Sequence, residues 1–216
     1  MSATGLYVHR FVPARNASTA TLLLLHGMGG DESDLIPLGR TLAPDAALLS
    51  PRGKVLENGL TRFFRRFPGN VFDVDDLKFR AQELAEFVQG ASASYQFDPG
   101  NVIALGFSNG ANMAAAISLL QPDLLRAAIL FCSLVPLVPE RKPELVGKSF
   151  FVGAGRTDPI VPSQETERLV ALLQGAGAEV TVQWQPGGHL ISDRQVQAVK
   201  NWLSLILSDE REYVER

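Results

Sequence analysis

Short, mostly apolar runs alternate along this chain with longer stretches in which apolar residues return every three or four positions. The runs fall at 21–25, 46–50, 101–105, 127–131, 149–152 and 180–184, the first reading TLLLL. Apolar runs of this length without polar alternation predict strands covered on both faces. The stretches between them predict helices. In 31–43, Leu35, Ile36, Leu38 and Leu42 fall at helical spacing, with Asp31 or Ser33 as a starting cap. In 73–90 the repeat runs through Leu77, Leu84, Phe87 and Val88. The segment 109–120 is rich in alanine, which lets a helix lie close on a sheet, and Pro122 bounds it. A fourth helix is expected at 163–174, and a last one carries Val196, Val199, Trp202, Leu203 and Ile206 on one side.

Strands alternating with helices predict a single-domain α/β fold, with a mostly parallel central sheet and helices on both faces. At 216 residues one core is the default, and neither a repeat nor a linker divides the chain. Two segments escape the pattern. Residues 51–72 show no sustained periodicity, so a functional or lid-like loop is expected there. The tail 208–216, SDEREYVER, is expected as a frayed, solvated end.

Composition narrows the function classes. A hydrophobic fraction of 46%, a charged fraction of 20% and a formal charge of −3 describe an ordinary globular protein with no basic field to collect nucleic acid. The longest aliphatic run, Leu22 to Leu25, is far too short to span a bilayer, and the first residues lack the apolar stretch of a secretory leader. The single cysteine, Cys132, excludes an intramolecular disulfide and fits a reducing compartment, so a soluble cytoplasmic protein is expected. Cys132 itself reads as a small buried hydrophobe, and no residues stand at metal-ligand spacing.

The chemistry centres on GFSNG at 106–110, a G-x-S-x-G pattern between a predicted strand and a predicted helix. A serine hydroxyl is a poor nucleophile at neutral pH unless a base takes its proton and an acid fixes the base's tautomer. In α/β-hydrolases the chain order is Ser, then Asp or Glu, then His. Ser108 is followed by Asp158 and then His189, each just beyond a predicted strand. Of the three histidines, His9 sits in an N-terminal strand-like segment and His26 in the first glycine loop, where its side chain is read as organising the loop. Asp193 is an alternative orienting acid, although it reads better as the cap of the next helix. An oxyanion needs backbone donors. Asn109, at the predicted helix start, and Met28, in the loop HGMGG, are the candidates.

The motifs HGMGGDESDL, GFSNGAN, GRTDPIVP and PGGH resemble, in order and over nearly the whole chain, the phospholipase/carboxylesterase family of α/β-hydrolases, which includes small bacterial carboxylesterases and acyl-protein thioesterases. SPRGKVLENG and RFFRR resemble the bacterial branch most. Asn109, where the thioesterases usually carry glutamine, leans the same way. The resemblance implies an α/β-hydrolase fold with little or no cap, no cofactor, a small-molecule ester substrate and possible homodimers.

For substrate contacts, Arg62 and Phe64 are candidate pocket residues, while Arg65 and Arg66 read as solvated. Leu134 and Val135, after the strand at 127–131, are candidates for an apolar wall, with ordinary loop packing as the equal alternative. The expected activity is hydrolysis of small carboxylic esters through an acyl-enzyme. The alternatives are a thioesterase or lysophospholipase on longer acyl chains and, more distantly, a non-catalytic ligand-binding module.

Overall fold

A computed structural model of the chain describes residues 5, 7–15, 20–68 and 71–214, the side chains of 209–214 aside. In chain order its elements are β1 (His9–Val12), β2 (Thr21–Leu25), α1 (Ile36–Leu42), β3 (Ala47–Pro51), β4 (Val55–Glu57), β5 (Leu60–Arg62), β6 (Arg66–Phe67), β7 (Val71–Phe72), α2 (Val74–Tyr95), β8 (Val102–Phe107), α3 (Asn109–Leu120), β9 (Ala127–Phe131), β10 (Ser149–Gly155), α4 (Ser163–Gly175), β11 (Glu179–Gln185) and α5 (Asp193–Val214). Seven strands form one sheet in the order β1-β3-β2-β8-β9-β10-β11. β1 pairs antiparallel with β3, and the other pairings of this sheet are parallel. No described helix is long and apolar enough to cross a membrane.

The run TLLLL shows why the central strands are apolar throughout while the edge strands β1 and β11 are not. Successive side chains of a strand point to opposite faces. Leu22 and Leu24 pack with Ile103, Ile129 and Phe151, under Leu42 of α1 and Val199, Trp202 and Leu203 of α5. Leu23 and Leu25 join Ala104, Leu130 and Val152 beneath α2, α3 and α4. Both faces are covered, so every position of β2 is buried. Each such leucine contributes about 1.5–3 kcal/mol relative to exposure.

Several predicted boundaries move. The helix expected at 31–43 begins only at Ile36, because Asp31 Oδ1 accepts from Ser33 N–H at 2.7 Å in a tight local turn rather than capping a helix. α2 starts where expected, with Asp73 capping Asp76 N–H, but passes Gly90 and ends at Gln96 in a left-handed conformation. The aperiodic stretch 51–72 holds two small hairpins, β4 with β5 and β6 with β7. Phe63 and Phe64 anchor it in the core. The backbone of α5 continues through Val214, so the charged tail begins in helix.

Candidate active site

β8 hands over to α3 at Ser108, whose φ of 51° and ψ of −114° are strained for a residue with a side chain. Such a conformation costs of order 1–3 kcal/mol and persists only where its surroundings impose it. Here Ser108 N–H donates to Phe131 O at 2.8 Å, and Ser108 O accepts from Asn112 N–H at 2.9 Å. The flanking glycines are required by close approach. A Cβ at Gly110 would collide with the carbonyls of Leu25 and His26, and one at Gly106 with the backbone of Ala111.

The sheet register explains why the chemistry collects at one rim. Leu25 pairs with Gly106, Phe107 with Phe131, Phe131 with Gly153, and Gly155 with Gln185. The loops after β2, β8, β9, β10 and β11 therefore leave the sheet at its carboxyl edge, where sites of open α/β sheets form. His189 Nε2 lies 2.9 Å from Ser108 Oγ, and His189 Nδ1 lies 2.8 Å from Asp158 Oδ2. Asp158 Oδ1 accepts from the N–H groups of Ile160 and Val161 at 2.8 and 3.0 Å, which fixes the carboxylate. An ionised carboxylate only accepts, so Nδ1 carries the ring proton and Nε2 is left to accept from the serine. The alternative acid, Asp193, opens α5 instead.

The loops bearing Asp158 and His189 are tied together. Arg156 N–H donates to Gln185 O at 2.8 Å, and Thr157 Oγ1–H to Pro186 O at 3.0 Å. Gln185, absent from the sequence reading, is buried and donates from Nε2 to Leu190 O, immediately after the histidine. Asn112 was also missed. Its Oδ1 accepts from Leu134 N–H at 2.8 Å and Ser133 Oγ–H at 3.1 Å, fixing the loop after β9. The repeated asparagine in NGAN was the available signal for Asn112. Nothing local marked Gln185.

In the first glycine loop, His26 Nδ1–H donates to Gly27 O at 2.6 Å and Nε2 accepts from Gly53 N–H at 2.9 Å. Both ring nitrogens are engaged in backbone contacts, so this side chain holds the loop. Burial lowers its pKa. Among the described residues, neither Met28 N–H nor Asn109 N–H donates to a protein acceptor. The Asn109 side chain accepts from Phe63 N–H at 2.8 Å, joining the 51–72 segment to the helix start.

The expected substrate contacts divide. Phe64 is fully buried, edge-on to Phe72 with ring centroids 5.0 Å apart, so it packs the core and presents no surface to a ligand. This corrects its assignment as a pocket residue. Its place is in the core cluster that packs beneath α2 and α3. Arg62 is 3% exposed, paired with Glu57 at 2.9 Å and in contact with Met28 Sδ at 3.2 Å. Arg65 reaches Asp73 at 3.2 Å, and Arg66 reaches Glu57 at 3.4 Å. Leu134 and Val135 are half-buried, Val135 against the core. Among the exposed apolar side chains, three that the sequence did not single out stand by these loops: Leu60, which faces Gly29, Ile160, two residues past Asp158, and Leu190, next to His189.

Cys132 is buried as expected, but its neighbours are polar. Its thiol, the Asp158 carboxylate and the His189 imidazole offer donor atoms all within 4.8 Å of one another. Burial first, then the charge of Asp158 and a hydrogen bond to it, push the thiol pKa up to about 12. Sequence spacing had shown no metal-ligand set because these donors come from three separate loops.

The phospholipase/carboxylesterase family model matches residues 8–207. MhqD of Bacillus subtilis (strain 168), a hydrolase by name, is 44% identical over 188 residues, 87% of this chain and 94% of that protein. The Bacillus cereus carboxylesterase structure superposes with a TM-score of 0.88 at 44% identity, covering 91% of this chain and 92% of that one. A carboxylesterase from Mesorhizobium loti superposes with a TM-score of 0.86 at 32% identity, covering 92% and 95%. With this match along almost its whole length and the sheet described above, the chain belongs to the phospholipase/carboxylesterase family of α/β-hydrolases, a family of carboxylic ester hydrolases.

Proposed function

We propose that this protein is a serine carboxylesterase that cleaves small carboxylic esters through an acyl-enzyme. The observation that carries the reading is the unbroken line from Ser108 Oγ through His189 to Asp158, with links of 2.9 and 2.8 Å. Ser108 Oγ attacks the ester carbonyl as its proton passes to His189 Nε2. The resulting imidazolium is stabilised by Asp158, which stays ionised and holds the ring. The carbonyl oxygen, now negative, accepts from the N–H groups of Met28 and Asn109. Each such donor is typically worth about 10²- to 10³-fold in rate. The Asn109 donor stands at the start of a helix, where the backbone dipole favours negative charge.

The carbon–oxygen bond to the alcohol then breaks, and His189 gives its proton to the departing oxygen. Water repeats the sequence: His189 Nε2 takes its proton, the hydroxide attacks the acyl carbon, and Ser108 leaves with the proton returned. Every atom the two steps require comes from the chain, the ester and water.

One observation favours a second reading, longer acyl chains. Ile160 and Leu190 expose apolar surface beside Asp158 and His189, and Met28 in the loop after β2 and Leu60 in β5 add more, a seat for a hydrocarbon tail. Comparing kcat/KM for short p-nitrophenyl esters with long-chain thioesters and lysophospholipids separates the two. The common mechanism is tested by a fluorophosphonate probe. It should label one serine per chain in the parent and none in Ser108→Ala, and a parent that stays unlabelled and hydrolyses no ester removes the proposal in favour of a binding module.

A further inference from the structure

The Cys132 thiol takes no part in either proposed step, yet the backbone places it with care. Cys132 has a φ of 54°, rare for a residue with a side chain, and its N–H is held by Gly153 O at 2.8 Å. At the end of β9 that twist sets the sulfur close to the pair formed by Asp158 and His189. Leu190 O lies 3.8 Å from the sulfur.

We infer that Cys132, Asp158 and His189 form an inhibitory site for a thiophilic divalent cation of the zinc class. The set offers one sulfur, one imidazole nitrogen and one carboxylate oxygen, all within 4.8 Å of one another. Mixed sulfur, nitrogen and oxygen donors suit zinc or cadmium, whereas magnesium and calcium take oxygen donors. Zinc bonds of about 2.0–2.3 Å in tetrahedral geometry place donor atoms roughly 3.3–3.6 Å apart. The gap of 2.8 Å between Nδ1 and Oδ2 must widen slightly and the sulfur must close in. Asp158 keeps its Oδ1 bonds to the Ile160 and Val161 N–H groups, so the shift falls to rotation of the Cys132 and His189 side chains. Water or the Leu190 carbonyl completes the shell.

The proton balance explains why occupancy would inhibit. The thiol proton leaves to solvent, since a coordinated thiol is deprotonated outright. The imidazole stays neutral, but with the cation on Nδ1 its proton must sit on Nε2. Nε2 then faces Ser108 as a donor and cannot take the serine proton. The coordination chemistry stands alone. The inhibition rests on the esterase reading above.

Cadmium supplies a readout independent of activity, because cadmium bound to thiolate has an ultraviolet charge-transfer band. Untagged protein should develop this band with one equivalent of Cd²⁺ and not with Mg²⁺. Ser108→Ala should develop it equally, since the serine supplies no ligand. Cys132→Ala and Cys132→Ser should lose it. In ester hydrolysis Zn²⁺ should inhibit reversibly, with EDTA restoring the rate. Half-inhibition of Cys132→Ala, relative to its own metal-free rate, should need at least about tenfold more Zn²⁺. A parent without the band, or a Cys132→Ala protein inhibited at the same Zn²⁺ concentration, overturns the site. A parent that shows the band but cleaves no ester retains the site and removes the esterase reading instead.

Discussion

Gln185 Nε2 donates to the carbonyl oxygen of Leu190 at 2.7 Å and makes a longer contact, 3.4 Å, to that of Gly188, so one buried amide brackets His189 on both sides. The clamp holds the backbone on either side of the imidazole, and the bond to Asp158 orients the ring. Gln185→Leu keeps the volume and removes both donors. Its kcat should fall roughly 10- to 100-fold, the scale of a displacement near one ångström, with KM changed less than about twofold. Steady-state hydrolysis of p-nitrophenyl acetate is the measurement. An unchanged kcat would show that the backbone holds His189 unaided.

Asp158 and Asp193 are separable by the same assay. Asp158→Asn keeps the shape but offers an amide where His189 Nδ1–H needs an acceptor of full charge, and kcat should drop by on the order of 10³- to 10⁴-fold. Asp193 lies in the first turn of α5, so Asp193→Asn should cost only about 0.3–1 kcal/mol of stability through the helix end. Equal losses of activity in the two variants would contradict this division.

Phe64 tests the line between core and pocket. It is wholly buried beside Phe72, and Phe64→Ala leaves a cavity worth about 3–5 kcal/mol. The urea midpoint should fall accordingly at constant slope. A variant of parental stability with a raised KM would return Phe64 to the substrate site.

His26 predicts an acid-side loss of stability. Burial holds its folded-state pKa below the ordinary 6.5, and protonation would put a proton on Nε2, where Gly53 N–H already donates. As the pH falls through about 6.5 the unfolded chain takes up the proton first, so the folded state loses stability from there down to the folded pKa. Above that window this group adds no pH dependence. Thermal midpoints between pH 7 and 5 should decline less steeply for His26→Gln than for the parent, relative to each protein's own value at pH 7. Parallel curves would show that His26 does not carry the effect.

Much of this molecule is readable along the chain, for reasons that are local. Strand periodicity, the uniform apolarity of doubly covered strands and the strand-to-helix turn at Ser108 all depend on neighbours a few residues away. Parallel connection then puts the loops after β2, β3, β8, β9, β10 and β11 at the same edge, so Ser108, Asp158 and His189 could be selected as a set from order and motif. Other features waited on residues that approach only in three dimensions. Phe64 sank into the core, Arg62 found Glu57, Gln185 closed over Leu190, and Cys132 turned toward Asp158. Burial and partnership are properties of pairs brought together by folding. No periodicity in one segment reports what another will place against it.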